Sequence, residues 1–188
     1  MTRATATLWA SARPAARPLH PAFAILGGAL LIALATRVQV PMWPVPMTLQ
    51  TLAVLLVAMT CGARLAVGAV LAYLAQGAMG LPVFAAGGGL APLVGPTAGY
   101  LWGFVLVAWV VGSLADRGLA RGFAGAFGLA LLGSALVYVV GASWLAGLIG
   151  AQAAWTAGVL PFLAGDLVKS ALAALLVPMG WRLLARRP

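Results

Sequence analysis

The stretch Val159-Leu-Pro-Phe-Leu-Ala-Gly-Asp-Leu-Val-Lys-Ser-Ala-Leu-Ala-Ala-Leu-Leu-Val177 places an acid, Asp166, and a base, Lys169, in an apolar run long enough to cross a bilayer. A charge at the centre of a spanning helix costs roughly 2.5–3.5 kcal/mol on insertion scales, so an intramembrane pair is a functional-site candidate by default. At i and i+3 the two side chains share one face of the helix. Opposite signs neutralise each other in part while the site is empty. When it is filled, the pair offers one acceptor and several donors to a polar ligand. An ion pair that merely closes on itself is the plain alternative. A proton relay would need further charged groups across the membrane, and no other predicted span holds one.

The rest of the chain agrees with a membrane setting. Of its 188 residues 64% are hydrophobic and only 7% charged, with a mean hydropathy of +1.09. Soluble domains run near 25% charged, so the composition is that of an integral membrane protein. The formal charge of +9 raises the question of a nucleic-acid partner. Its distribution answers no, because the arginines sit at segment ends instead of clustering on one soluble face. Cys61 is the one cysteine, so no intrachain disulfide is implied. It reads as a small buried hydrophobe and not as a nucleophile, since the one histidine, His20, lies in the N-terminal arm. The apolar run after His20 continues into a span and shows no small-residue cleavage site, which argues against a signal peptide.

Apolar stretches broken by Gly, Pro or Arg predict an all-α protein of six spans. They cover about Pro21–Thr36, Leu49–Cys61, Leu65–Met79, Ala98–Ala115, Phe123–Val140 and Val159–Trp181. Six crossings put Arg3, Arg13, Arg17, Arg64, Arg117, Arg121, Arg182, Arg186 and Arg187 on one side, and Arg37 alone on the other. That asymmetry makes both termini cytoplasmic by the positive-inside rule. The predicted organisation is a cytoplasmic arm, 1–20, and a single membrane domain, 21–188.

The outer connections are then Arg37–Thr48, Gly80–Thr97 and Gly141–Gly158, all nearly free of charge. Irregular backbone this apolar belongs over protein or a cavity, because lipid cannot satisfy its amide groups. Three prolines within six residues (Pro41, Pro44, Pro46) stiffen the first into an extended or turn form suited to a lid. Thr48 and Gln50 at its end can reach a pocket, and Thr48 is equally placed to cap the following helix. The second carries Gly87-Gly-Gly89 without a phosphate-loop motif, so its glycines read as tight turns and close packing. Phe84 and Tyr100 are candidates to wall an apolar pocket, with the Tyr100 hydroxyl as a polar handle. Thr97, in Gly95-Pro-Thr-Ala-Gly-Tyr100, joins that candidate set. The third, with Trp144 and Trp155, reads as a loop or a helix lying at the interface. Ala29 and Ala33 form a small-residue face on the first span, suited to close approach by another helix.

Val45-Pro-Met-Thr-Leu-Gln50, Gly80-Leu-Pro-Val-Phe84, Gly95-Pro-Thr-Ala-Gly-Tyr100 and Gly165-Asp-Leu-Val-Lys169, in that order, resemble the BioY family of substrate-capture (S) components of energy-coupling factor (ECF) transporters. Ala98 departs from the glycine usual in the third motif. The resemblance implies capture of biotin from outside and its delivery across a bacterial cytoplasmic (inner) membrane. It implies a transmembrane T component and two ATPase subunits as partners, and biotin as a transported ligand with no resident cofactor. Asp166 and Lys169 match the family's binding pair, and the Ala29–Ala33 face matches its docking surface for the T component. A stand-alone secondary transporter or facilitator for biotin or a similar vitamin is the alternative reading. An enzyme is disfavoured, since no span holds a nucleophile with a histidine base.

Overall fold

The computed structural model describes residues 7–8 and 21–185. The predicted arm at 1–20 therefore lies almost wholly outside the described residues, as do Arg186 and Arg187. Helices dominate because a helix satisfies its backbone polar groups within one segment, whatever surrounds it. They are α1 (Pro21–Ala35), α2 (Gln50–Cys61), α3 (Ala63–Ala78), a single turn α4 (Ala91–Val94), α5 (Ala98–Asp116), α6 (Phe123–Ile149), α7 (Ala151–Gly158) and α8 (Leu163–Ala185). Short 3-10 turns lie at Leu119–Arg121 and Leu160–Phe162. Among the described residues, three helical stretches are long and apolar enough to cross a membrane: α5, α6, and the run from Ala151 to Leu183 that contains α7 and most of α8. The apolar helices α1, α2 and α3 are shorter, at 15, 12 and 16 residues.

Four of the six predicted spans begin and end within about two residues of the observed helices, and two differ in an instructive way. α6 does not stop at Val140 but runs 27 residues to Ile149. Gly141 lies within this helix, and the Tyr100 ring occupies the place where a side chain would project, so only glycine fits there. The predicted outer connection Gly141–Gly158 is thus mostly helix: the last third of α6, a break at Gly150, then α7. The final helix starts at Leu163 and not at Val159, because Pro161 sits in the preceding 3-10 turn. That shift leaves Asp166 in the first turn of α8. There the positive end of the helix dipole favours a carboxylate.

α5 is the central element, packed against α2, α3 and α6; α8 closes the bundle against α6 and α2, and α1 lies on α3 and α2. One end of this bundle is tight. α2 and α3 are joined by Gly62 alone, whose φ of +82° is a conformation L side chains rarely adopt. The Asp116 carboxylate at the end of α5 accepts the Ala63 N–H at 3.0 Å, capping α3. The opposite end is built from loops. The proline-rich segment folds as a hairpin of β1 (Gln39–Val40) and β2 (Met47–Thr48), with Gln39 opposite Thr48 and Val40 opposite Met47.

Ala29 and Ala33, the face read as suited to close approach by another helix, pack against the chain's own helices. Both side chains are buried within the chain's own core, Ala29 fully and Ala33 at 9% exposure. Beside them a methyl on Gly28 would meet Ala69 of α3 and Val57 of α2. The small residues let α1 approach its own neighbours closely, and the outward face of α1 carries Phe23, Leu26, Leu30 and Leu34 instead.

Candidate ligand-binding site

A cavity of about 630 Å³, counting its open mouth, lies at the loop end of the bundle. All seven of the predicted ligand-binding side chains line it: Thr48, Gln50, Phe84, Thr97, Tyr100, Asp166 and Lys169. Most other lining groups are apolar, among them Val45, Leu101, Phe104, Val137 and Phe162. α2 is only 12 residues long, about 18 Å at 1.5 Å per residue. The hairpin and the glycine-rich loop contribute Val45, Pro46, Phe84, Ala85 and Ala86 to the cavity wall.

Asp166 and Lys169 form the polar centre. Their side chains are nearly buried, at 6% and 5% residue exposure. The Lys169 ammonium donates to Asp166 Oδ1 at 2.8 Å, and the Tyr138 hydroxyl donates to Asp166 Oδ2. Both carboxylate oxygens therefore face donors, which is what a charge withdrawn from water requires. The ammonium keeps N–H capacity beyond its bond to Asp166.

The remaining predicted residues are held by a hydrogen-bonded chain that links the two covering loops. The Gln50 N–H donates to Thr48 Oγ1 at 3.2 Å, and the Thr48 hydroxyl donates to Gln50 Oε1 at 3.1 Å. Thr48 therefore caps the start of α2 and lines the cavity at once. Gln50 Nε2 donates to the Tyr73 hydroxyl at 2.6 Å, and Tyr73 donates to the Val83 carbonyl at 3.3 Å. Arg37 donates across to the Pro82 carbonyl, a second tie between the hairpin and the glycine-rich loop. Phe84 is almost fully buried, packed edge-on against Tyr73 with ring centroids 5.4 Å apart. Its ring occupies the volume where a side chain on Gly77 would stand, so only glycine fits at that point of α3.

Two of the predicted residues also brace the covering segments. The Tyr100 hydroxyl donates to the Gly158 carbonyl at 2.9 Å, pinning the end of α7, while Tyr100 also lines the cavity. Thr97 donates to the Pro92 carbonyl at 3.2 Å, which fixes α4, and lines the cavity with its hydroxyl still able to accept a hydrogen bond. Trp144, on the extension of α6, donates to the Gly95 carbonyl at 3.0 Å and so braces the same loop.

Tyr138 and Tyr73 escaped the sequence reading. A signal was present. The chain has three tyrosines, and a phenol in an apolar span needs a partner for its hydroxyl. With only two acids in the chain, Asp166 was a natural acceptor for one of them.

Comparison with known proteins places this arrangement in a family. A family model described as the BioY family matches residues 7–186. A probable biotin transporter BioY of Pyrococcus horikoshii is 37% identical over 152 residues, covering 79% of this chain and 90% of that protein. The biotin transporter BioY of Thermotoga maritima is 41% identical over 148 residues, covering 78% and 86%. A crystal structure of the S-component for biotin from an ECF-type ABC transporter has the same fold, with a TM-score of 0.77 over 86% of this chain and 90% of that one, at 24% identity. On the match across nearly its whole length, and on relatives well above 30% identity, this chain belongs to the BioY family.

Proposed function

We propose that this chain captures biotin at the outer face of a cell membrane and delivers it across as the S component of an ATP-driven ECF transporter. Its partners in that role are a transmembrane T component and two ATPase subunits. One observation carries the reading: a buried Asp166–Lys169 pair, joined by Tyr138, in a mainly apolar cavity of a BioY-family chain. Biotin offers two ureido N–H donors and a carbonyl, an apolar bicycle and chain, and a terminal carboxylate. The cavity matches that set, with a carboxylate to accept N–H groups, an ammonium for an oxygen, and aromatic and aliphatic walls.

Six crossings with both termini cytoplasmic fit the arginine asymmetry. In that orientation the cavity opens outward, and the helices too short to span alone end beneath loops whose backbone is covered by protein. The chain acts in this scheme as a binding and transport subunit and not as an enzyme.

The decisive experiment is native mass spectrometry of the purified protein, followed by retention of labelled biotin. Biotin is expected to travel with the wild-type chain, and Lys169→Ala is expected to lose it. Co-purification of a different vitamin, or full retention by Lys169→Ala, would overturn the assignment. Uptake by cells with and without the ATPase subunits separates the ECF role from stand-alone transport.

A further inference from the structure

The hairpin beside the cavity has two sides. Met42 packs against the core, and Val45, Pro46 and Thr48 line the cavity wall. The side chains that turn away from the bundle are apolar as well: Val38 and Val40 are more than half exposed, and Trp43, between the two strands, is 84% exposed. An indole ring is costly to leave in water and favours the headgroup level of a bilayer, where its ring and its N–H each find a partner.

The surroundings of this outer side point to lipid as its occupant. The exposed residues of α1, Phe23, Leu26, Leu30 and Leu34, are followed in the chain by Val38 and Val40, so the outward apolar surface does not stop with the helix. α1 has 15 residues, about 22 Å of helix against roughly 30 Å of hydrocarbon, so flanking residues must help to complete its crossing. Arg37 is the one charged residue between Pro21 and Ala63. It is exposed, and beyond its bond to the Pro82 carbonyl its guanidinium has donors that fit a lipid phosphate. The exposed Leu81 adjoins Pro82, so both covering loops carry apolar groups next to that tie. The hairpin backbone suits the same setting. Pro41, Pro44 and Pro46 have no N–H to satisfy, and the Val38 carbonyl accepts the Leu49 N–H at 3.1 Å.

We propose that Val38, Val40 and Trp43 dock in the headgroup region of the outer leaflet, with Arg37 at its phosphates, and that lipid thereby holds the hairpin over the cavity. The lipid contact rests on the outward orientation of the cavity, and its effect on ligand release rests on the biotin reading.

The chain has seven tryptophans, so the Trp43 signal is taken as the difference in fluorescence between the wild type and Trp43→Phe. The protein is placed in vesicles of phosphatidylglycerol and phosphatidylethanolamine, with acyl chains plain or brominated near the headgroup. The bromines are expected to quench the Trp43 signal, and iodide in the water to quench it weakly. Strong quenching by iodide with none by bromine would overturn the lipid contact, because the ring then faces water. Protection from both quenchers would overturn it too, in favour of a second copy or another protein over the hairpin. In the same vesicles Trp43→Ser is expected to release labelled biotin severalfold faster than the wild type, with an unchanged circular dichroism spectrum, and Trp43→Phe to fall between them. Equal release from all three would overturn the hold on the hairpin. A wild type that binds no biotin would sink the functional reading, while the quenching still decides the lipid contact.

Discussion

The chain has two carboxylates, one at each end of the helical bundle, and their fates differ. Asp116 is exposed at the tight end, where it accepts the Ala63 N–H and stops α3 from starting with a bare donor. Asp166 is buried at the loop end, between Lys169 and Tyr138, on the wall of a cavity. The same side chain stabilises a turn in one place and prepares a binding site in the other. What differs is the neighbourhood: Asp116 meets a backbone donor with no space beside it, as Gly62 attests. Asp166 meets side-chain donors next to an opening that a ligand can enter. Polar atoms at the tight end finish the fold; at the loop end they are left with capacity to spare.

The comparison breaks most sharply at Lys169. Lys169→Ala leaves Asp166 buried with a missing partner, a change of roughly 3–5 kcal/mol for a broken buried pair. Biotin binding measured by titration should fall by at least a hundredfold, and the chain should remain folded by circular dichroism. Tyr138→Phe is the next test. It removes one hydrogen bond to a charged group, worth roughly 1.5–3 kcal/mol. Its biotin Kd should rise about ten- to hundredfold, and near-wild-type affinity would remove Tyr138 from the site.

Gly77→Ala tests the covering loops instead of the polar centre. Its new methyl displaces the Phe84 ring, an overpacking change of roughly 1–3 kcal/mol. The thermal midpoint should fall, and biotin should dissociate faster as the loop loses its anchor. The smallest effect belongs to the tight end. Asp116→Ala removes a helix cap, about 1 kcal/mol. It should lower the midpoint slightly and leave the biotin Kd unchanged; a change in affinity would show that the two ends are coupled.

Much of the architecture was legible before any coordinates. Helix positions followed from apolar runs and their breakers, since a segment that must satisfy its own backbone in an apolar setting has few other options. The misjudged end of α6 shows the limit. Gly141 reads as a breaker, yet it is helical, and it is a glycine because Tyr100, distant in sequence, packs where its side chain would stand. The Ala29–Ala33 face shows another. Small residues announce that some helix comes close but do not say whether it belongs to the same chain.

Sequence by itself determined the membrane character, the helix order and the identity of the charged pair, because hydropathy and charge are local properties that no neighbour can cancel. Tertiary structure decided which hydroxyls face Asp166, which face of α1 is inside, and that Thr48, Gln50, Phe84, Thr97 and Tyr100 meet around one cavity. Those outcomes depend on how the helices and the covering loops pack. Packing is set by contacts between residues far apart in the chain, where no spacing in the sequence records them.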